Sequence, residues 1–345
     1  MSWQARVSTL LVRWGVRPGV ELVPDTVSVA RTARRLLCVF TDLCCRPHPE
    51  ATIVRVAAPA PDGIEVRGEW VLPPGTPPPE TVGGIGDGVP GGGVPDLRGG
   101  AVFYIHGSGY TVASARTHRA ITSRLAVWTG RPVFACDYRL APVHRFPAAA
   151  DDVDAAFTWL IDHGARPDQV VIAGDSAGVQ LGLALAAEYT ARTQSPAVAA
   201  LLFFSPLVDL SLARVREWES GRRRDPLVSA ARVERLLRVY LDGAEMTSPR
   251  LRFTSEGLRG LPPMQIHVSD AEFLYADTRH LVEMIEAADG QTELQLWPGQ
   301  LHVFQALPGF VPEATHSLRA AATFAHHHLE RARPTDNRPV TDDPA

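Results

Sequence analysis

The chain has 345 residues, 45% of them hydrophobic and 21% charged, with a formal net charge of −4. That size and composition suit one globular catalytic-type domain with a sizeable core and an added segment. They give no electrostatic basis for binding nucleic acid: the one dense basic run, Arg222 to Arg224, meets Asp225 at once and reads as a solvated loop.

Residues 1 to about 48 hold one helical stretch with Trp3, Leu10, Leu11 and Trp14 and a second around Val27–Leu43, without the alternation of a sheet. The mildly apolar run Val7–Val12 is flanked by Arg6, Arg13 and Arg17, so neither a signal-peptide core nor a membrane span is predicted. The cysteines are Cys38, Cys44, Cys45 and Cys136. Two adjacent cysteines suit neither a disulfide framework nor a metal knuckle, so free thiols and a cytoplasmic protein are expected.

Two strand-like runs follow, Thr52–Ala57 and Gly63–Leu72. From Pro73 to Gly100 proline and glycine dominate, which predicts a flexible surface loop that buries too little to offset its ordering entropy. The pattern then becomes regular. Strands are predicted at Ala101–Ile105, Pro132–Cys136, Val170–Ala173 and Ala199–Phe204, with helices at Thr117–Trp128, Pro147–His163 and Ala177–Thr193. Nearly unbroken apolar strands alternating with helices indicate a parallel sheet covered on both faces. Ser211–Gly243 lacks this rhythm, holding a charged stretch and then a helix at Pro226–Leu241. With residues 1–48 it is expected to form a helical cap, or lid, over the sheet's carboxyl edge. The rhythm resumes with strand Met264–Val268, helix Ala276–Ala288, strand Thr292–Trp297 and helix Pro312–His328, and residues 334–345 read as a disordered tail. The whole is an α/β chain whose catalytic domain spans 49–333.

Three segments carry chemistry. Gly174-Asp175-Ser176-Ala177-Gly178 lies between the strand Val170–Ala173 and a helix. The bare G-x-S-x-G pattern is weak. In that context it describes a sharp strand-to-helix turn that raises the Ser176 hydroxyl above the sheet near the positive end of the helix. His106-Gly107-Ser108-Gly109-Tyr110 follows the strand Ala101–Ile105, where small residues let backbone N–H groups converge on a developing oxyanion. By position the donors are the amides of Ser108, Gly109 and Ala177, with His106 organising the loop. Of the 12 histidines only His302 lies after a late strand and before the last helix, in reach of Ser176 as a general base. Three carboxylates, Asp270, Glu272 and Asp277, follow the strand Met264–Val268. Asp277 is placed within the next helix, and spacing alone leaves Asp270 and Glu272 open.

Together these segments resemble the hormone-sensitive-lipase-like esterases, the HGGG-type branch of the α/β-hydrolase fold. The resemblance runs from about Val102 to His302. It includes Asp137-Tyr138-Arg139-Leu140-Ala141-Pro142 with Phe146-Pro147-Ala148-Ala149, Ser205-Pro206-Leu207-Val208-Asp209-Leu210 and Gly260-Leu261-Pro262-Pro263. The resemblance implies an α/β-hydrolase fold with a mostly parallel central sheet, flanking helices and a helical cap. It also implies that Glu272, in Glu272-Phe273-Leu274, occupies the acid's place. Three departures stand out: Val143 replaces the usual Glu, Ser108 the middle glycine of the HGGG run, and Val179 the second glycine after the elbow.

The expected reaction is ester hydrolysis through an acyl-enzyme, with Ser176 as nucleophile, His302 as base and Glu272 as acid. It needs no metal or organic cofactor, and its partner is a small-molecule ester with a short- to medium-chain acyl group by resemblance. The same triad could serve amides, lactones or N-acetyl groups, and a fold member without activity would be a ligand receptor. Trp3 and Trp14 either face the acyl chain or pack the lid onto the body. The oligomeric state is open, a dimer included.

Overall fold

The computed structural model describes residues 1–22, 26–60, 63–79, 92–193, 198–221 and 224–332. It begins with α1 (Trp3–Leu11), which runs through a widened turn at Val12–Val16 into α2 (Arg17–Leu22), and then α3 (Val27–Cys44). The body follows as β1 (Thr52–Pro59), β2 (Glu65–Leu72), β3 (Ala101–Ile105), α4 (Arg119–Thr129), β4 (Val133–Asp137), α5 (Ala148–Asp162), β5 (Val170–Asp175), α6 (Ala177–Thr193) and β6 (Ala200–Phe204). It closes with α7 (Ala213–Ser220), α8 (Ala230–Leu241), β7 (Met264–Val268), α9 (Tyr275–Glu286), β8 (Thr292–Leu296) and α10 (Pro312–Arg331).

The eight strands form one sheet in the order β1-β2-β4-β3-β5-β6-β7-β8. β1 and β2 pair antiparallel with their neighbours, and all pairings from β4 to β8 are parallel. The apolar runs read in the sequence become strands whose alternate side chains enter opposite layers. Phe103, Ile105 and Ile172 pack with α5, α6 and α9, while Val102, Tyr104, Val171 and Ala173 pack with α4 and α10. Both faces of the central strands β3, β5, β6 and β7 are therefore buried, the condition under which a parallel sheet is stable.

The chain leaves β3 for β4 on one side and then returns to β5 on the other. The carboxyl ends of β3 and β5 thus diverge around a crevice, the switch point at which open α/β sheets place their ligands. Ile105, the last residue of β3, pairs with Gly174 of β5, so the loop beginning at His106 and the turn holding Ser176 emerge side by side.

The off-rhythm region holds two helices instead of one. The charged stretch is itself helical, because Val215 and Trp218 share one buried face of α7. α8 starts at Ala230 instead of Pro226: the Asp225 carboxylate accepts the N–H groups of Leu227 and Val228 (2.6 and 3.1 Å), and the Ser229 side chain caps the helix at Arg232 N. Of the Pro- and Gly-rich segment, the end from residue 92 is packed, with Leu97 buried and Gly92 against Ala58 and Trp159. Residues 80–91 and the tail 334–345 lie outside the described residues. Among the described residues, no helix is long and apolar enough to cross a membrane.

The first turn of α6 backs onto β3. A Cβ on Gly178 would lie 2.1 Å from the Ile105 carbonyl oxygen and 2.6 Å from that of His106. Gly178→Ala is therefore expected to lower the unfolding free energy by about 2 kcal/mol, read as a lower urea midpoint. An unchanged midpoint would mean that this close approach does not exist.

Candidate active site

Ser176 occupies the turn between β5 and α6 with φ 50°, in the left-handed region that only a tightly held non-glycine residue adopts. Its backbone is pinned from two sides. Its N–H donates to Phe204 O (2.9 Å), and its carbonyl accepts from Val179 N and Leu207 N (3.1 and 3.2 Å). The side chain is nearly enclosed, the residue being 8% exposed. His302 Nε2 lies 3.0 Å from Ser176 Oγ, and His302 Nδ1 lies 2.6 Å from Glu272 Oε2.

Glu272 is held as firmly as His302. Glu272 is fully buried, and its other oxygen, Oε1, accepts from Ser269 N (2.8 Å) and Ser205 Oγ (3.0 Å). Ser205 Oγ also accepts from Val303 N (3.2 Å), which ties the acid to the loop carrying the histidine. The other two carboxylates do different work. Asp270 accepts Gly299 N (2.7 Å) and so fastens the start of the histidine loop. Asp277, in the first turn of α9, accepts Val208 N and Asp209 N (2.7 and 3.0 Å), and burial lifts its carboxyl to about 6.

Above the nucleophile the loop from His106 has three successive left-handed residues: Ser108, Gly109 and Tyr110 at φ 79°, 57° and 62°. A Cβ on Gly107 would lie 2.9 Å from Ser176 Cβ, so the loop rests directly on the nucleophile. Among the described residues, none accepts the N–H of Ser108, Gly109 or Ala177. A backbone amide without an acceptor is free to meet negative charge on a bound molecule.

A family profile described as alpha/beta hydrolase fold matches residues 102–306, more than half of the chain. The chain belongs to the α/β-hydrolase family. The carboxylesterase/phospholipase LipF of Mycobacterium tuberculosis is 36% identical over 242 residues, covering 68% of this chain and 64% of LipF. The chain thus spans just under two thirds of that relative. The esterase LipU of the same organism is 34% identical over 229 residues, covering 64% of this chain and 75% of LipU. A crystal structure of an esterase from the bacterial hormone-sensitive lipase family superposes with a TM-score of 0.77 at 26% identity, covering 95% of this chain and 99% of that one. This α/β-hydrolase chain is therefore of the hormone-sensitive-lipase-like kind.

Electrostatics in this hydrolase-fold site favour a chargeable base. Burial alone would depress the His302 imidazole. The hydrogen bond and charge of Glu272 outweigh it, helped by the carboxylates of Asp225 and Asp175, and the net shift is upward. His106 differs: wholly buried and beside His118, its imidazole is pushed down to about 3. It stacks on Tyr138 at 4.2 Å, and Tyr138 OH donates to the His106 carbonyl (2.7 Å), so His106 shapes the loop.

Several residues at the site were not singled out from the sequence. Asp175, one place before the nucleophile, accepts from Tyr104 OH (2.7 Å) and Gly107 N (3.2 Å) and pairs with His118 Nε2 (3.2 Å). Burial opposes charge on both partners. Their mutual attraction prevails, leaving His118 raised and Asp175 lowered. Asp225 is fully buried near His302, accepts Phe273 N (3.0 Å), and is pushed up by burial to about 6. Asp225 and His118 sit in no local pattern that marks them. Asp175 carried a signal, its place inside the G-x-S-x-G turn, and Ser205 another, as the first residue of the Ser205–Leu210 run that resembles the family.

A base must be neutral to accept the serine proton, so a raised His302 value moves the acid limb of kcat/KM above the ordinary imidazole range. Glu272→Gln removes the charge that raises it. The limb is then expected to move to lower pH while kcat falls by about three to four orders of magnitude. A pH–rate profile on a nitrophenyl ester checks both; a limb that stays in place would remove Glu272 from contact with the base.

Proposed function

We propose that this protein is a serine carboxylic-ester hydrolase. His302 Nε2 takes the proton of Ser176 Oγ as the oxygen bonds to the ester carbonyl carbon. The carbonyl oxygen gains the negative charge and is met by the amides of Ser108, Gly109 and Ala177. The carbon–oxygen bond to the alcohol breaks, and the alcohol leaves with the proton from His302. Water then attacks the acyl-enzyme by the same route and releases the acid. Glu272 holds the imidazole in the tautomer with its Nδ1 proton toward the carboxylate and offsets the charge that His302 acquires.

The observation that carries this reading is the continuous contact from Ser176 Oγ through His302 to Glu272, 3.0 and 2.6 Å. The esterase and carboxylesterase names of LipU and LipF support the substrate class.

The cap in this reading consists of α7 and α8 together with the N-terminal helices. Support comes from the contacts over the crevice: Tyr240 stacks on Tyr110 at 3.8 Å, and Leu236 lies against Gly109, 3.2 Å from where its Cβ would be. Glu21 of α2 accepts Ser229 N and Ser229 Oγ (2.7 and 2.9 Å), joining that helix to the start of α8. Such close cover over the oxyanion loop favours short- to medium-chain acyl groups. A cytoplasmic location belongs to the same reading, supported by four cysteines that are all free.

Ser176→Ala is expected to abolish turnover of activated esters, and a serine-directed phosphonate to label Ser176 alone by peptide mass. Residual hydrolysis in the variant would end the proposal. In parallel, Glu272→Ala should cost about three to four orders of magnitude in kcat, whereas Asp270→Ala should mainly loosen the loop at Gly299 and cost far less. A chain-length series of nitrophenyl esters, with amides and lactones alongside, is expected to peak at short to medium acyl esters.

A further inference from the structure

The N-terminal helices are amphipathic in the wrong sense for a buried partner. In α1 the buried residues are Ala5 and Ser8, and in α3 they are Ala30 and Thr41. The large apolar side chains point outward instead. Trp3, Leu10, Leu11 and Trp14 form one stripe at helical spacing, with Trp3 66% and Trp14 73% exposed. Leu36, Val39, Phe40 and Leu43 form a second, with Leu36 and Leu43 both 65% exposed. Phe310, also exposed, extends the first stripe through its edge contact with Trp3 (6.4 Å). Trp14 is thus turned outward, and Trp3 touches the body edge-on at Phe310 while most of its surface is exposed. Rows of exposed large apolar side chains along a helix mark an interaction surface.

Charge says what kind of surface covers them. The first 48 residues hold seven arginines and three carboxylates in a chain whose net charge is −4, so the body is acidic and this end basic. Arg6, Arg13, Arg31 and Arg35 are exposed among the apolar residues, and Arg6, Arg13 and Arg35 form no ion pair with any described carboxylate. An apolar stripe edged by free guanidinium groups and tipped with tryptophan matches the interfacial zone of a bilayer, acyl tails under the stripe and phosphates beside the arginines.

We propose that α1 and α3 dock this protein on an anionic lipid bilayer, with the Trp3–Trp14 and Leu36–Leu43 stripes in the interface and the arginines on lipid phosphates. The acidic body is held off the same surface, which sets the orientation. α1 leads into α2, whose Arg17 and Glu21 bond Asp225 O and Ser229 at the start of α8, and Arg34 of α3 bonds Thr111 O and Ala141 O beside the oxyanion loop. Docking therefore brings the crevice next to the lipid surface. The inference stands on the exposed faces and is independent of the hydrolase reading.

The test is co-sedimentation of the full-length protein with vesicles of ether-linked phosphatidylcholine, with and without ether-linked phosphatidylglycerol, lipids that an esterase cannot cleave. Binding to the anionic vesicles is expected to be about tenfold or more tighter than to the neutral ones, and to weaken at high salt. Two variants, Leu11→Ser/Trp14→Ser/Leu36→Ser/Phe40→Ser and Arg6→Gln/Arg13→Gln/Arg35→Gln, should each lose most of this binding while hydrolysing a soluble nitrophenyl acetate normally. That last assay separates failure of docking from failure of the hydrolase reading and from misfolding. Equal binding to both vesicle types, no binding to anionic vesicles, or binding untouched by the variants would overturn the proposal. So would light scattering that finds a dimer which the apolar variant splits, since a second copy would then be the occupant.

Discussion

The approach of α6 to the end of β3 governs the rest of the site. Gly174 and Gly178 flank the nucleophile, and a Cβ on either would press on the Ile105 carbonyl, at 2.8 and 2.1 Å. Because the two backbones can close to that distance, the loop after β3 lies on the turn after β5, and Gly107 comes against Ser176. The Asp175 carboxylate then spans the gap, accepting from the loop amide of Gly107 and the Tyr104 hydroxyl while paired with His118. A left-handed Ser176 and the left-handed Ser108 and Tyr110 are strained conformations, each costing about 1–3 kcal/mol, and they persist only where neighbours over-determine them. Here the neighbours are a buried ion pair and a stack of three rings, Tyr138, His106 and His118.

His302 is placed by a second set of constraints that comes from the other half of the sheet. Glu272 and Ser205 follow β7 and β6, and His302 follows β8. Their hydrogen bonds converge, so the imidazole is fixed on both nitrogens, while Asp270 holds its loop at Gly299. Burial would normally keep such a histidine neutral. The carboxylates of Glu272, Asp225 and Asp175 around it tilt the balance toward the charged form, the form a base must reach in mid-reaction.

The helices outside the sheet are built on two different principles. α8 turns Ala230, Val233, Leu237 and Tyr240 inward, an ordinary amphipathic arrangement. α1 and α3 bury alanine, serine and threonine and turn their bulk to the outside. The contrast divides these helices into one that packs on the body and two that present an apolar, arginine-edged face.

Local pattern by itself determined the α/β class, most strand positions, the serine turn and the loop after β3, because apolar runs, glycine spacing and strand–helix alternation are short-range properties. His302 was legible from its place between the last strand and the last helix, whereas spacing left Asp270 and Glu272 level. Tertiary structure separated those two: both carboxylates lie on one loop, but one side chain turns inward to the imidazole and the other to Gly299 N. It also decided the partners drawn from far along the chain, His118 for Asp175, Ser205 for Glu272 and Asp225 beside His302. A buried charge finds its counterpart through the crossing of strands, and no local spacing encodes that crossing. The outward stripes of α1 and α3 follow the same logic. Helical periodicity shows that a helix has an apolar face, but only the packed body decides which way that face turns.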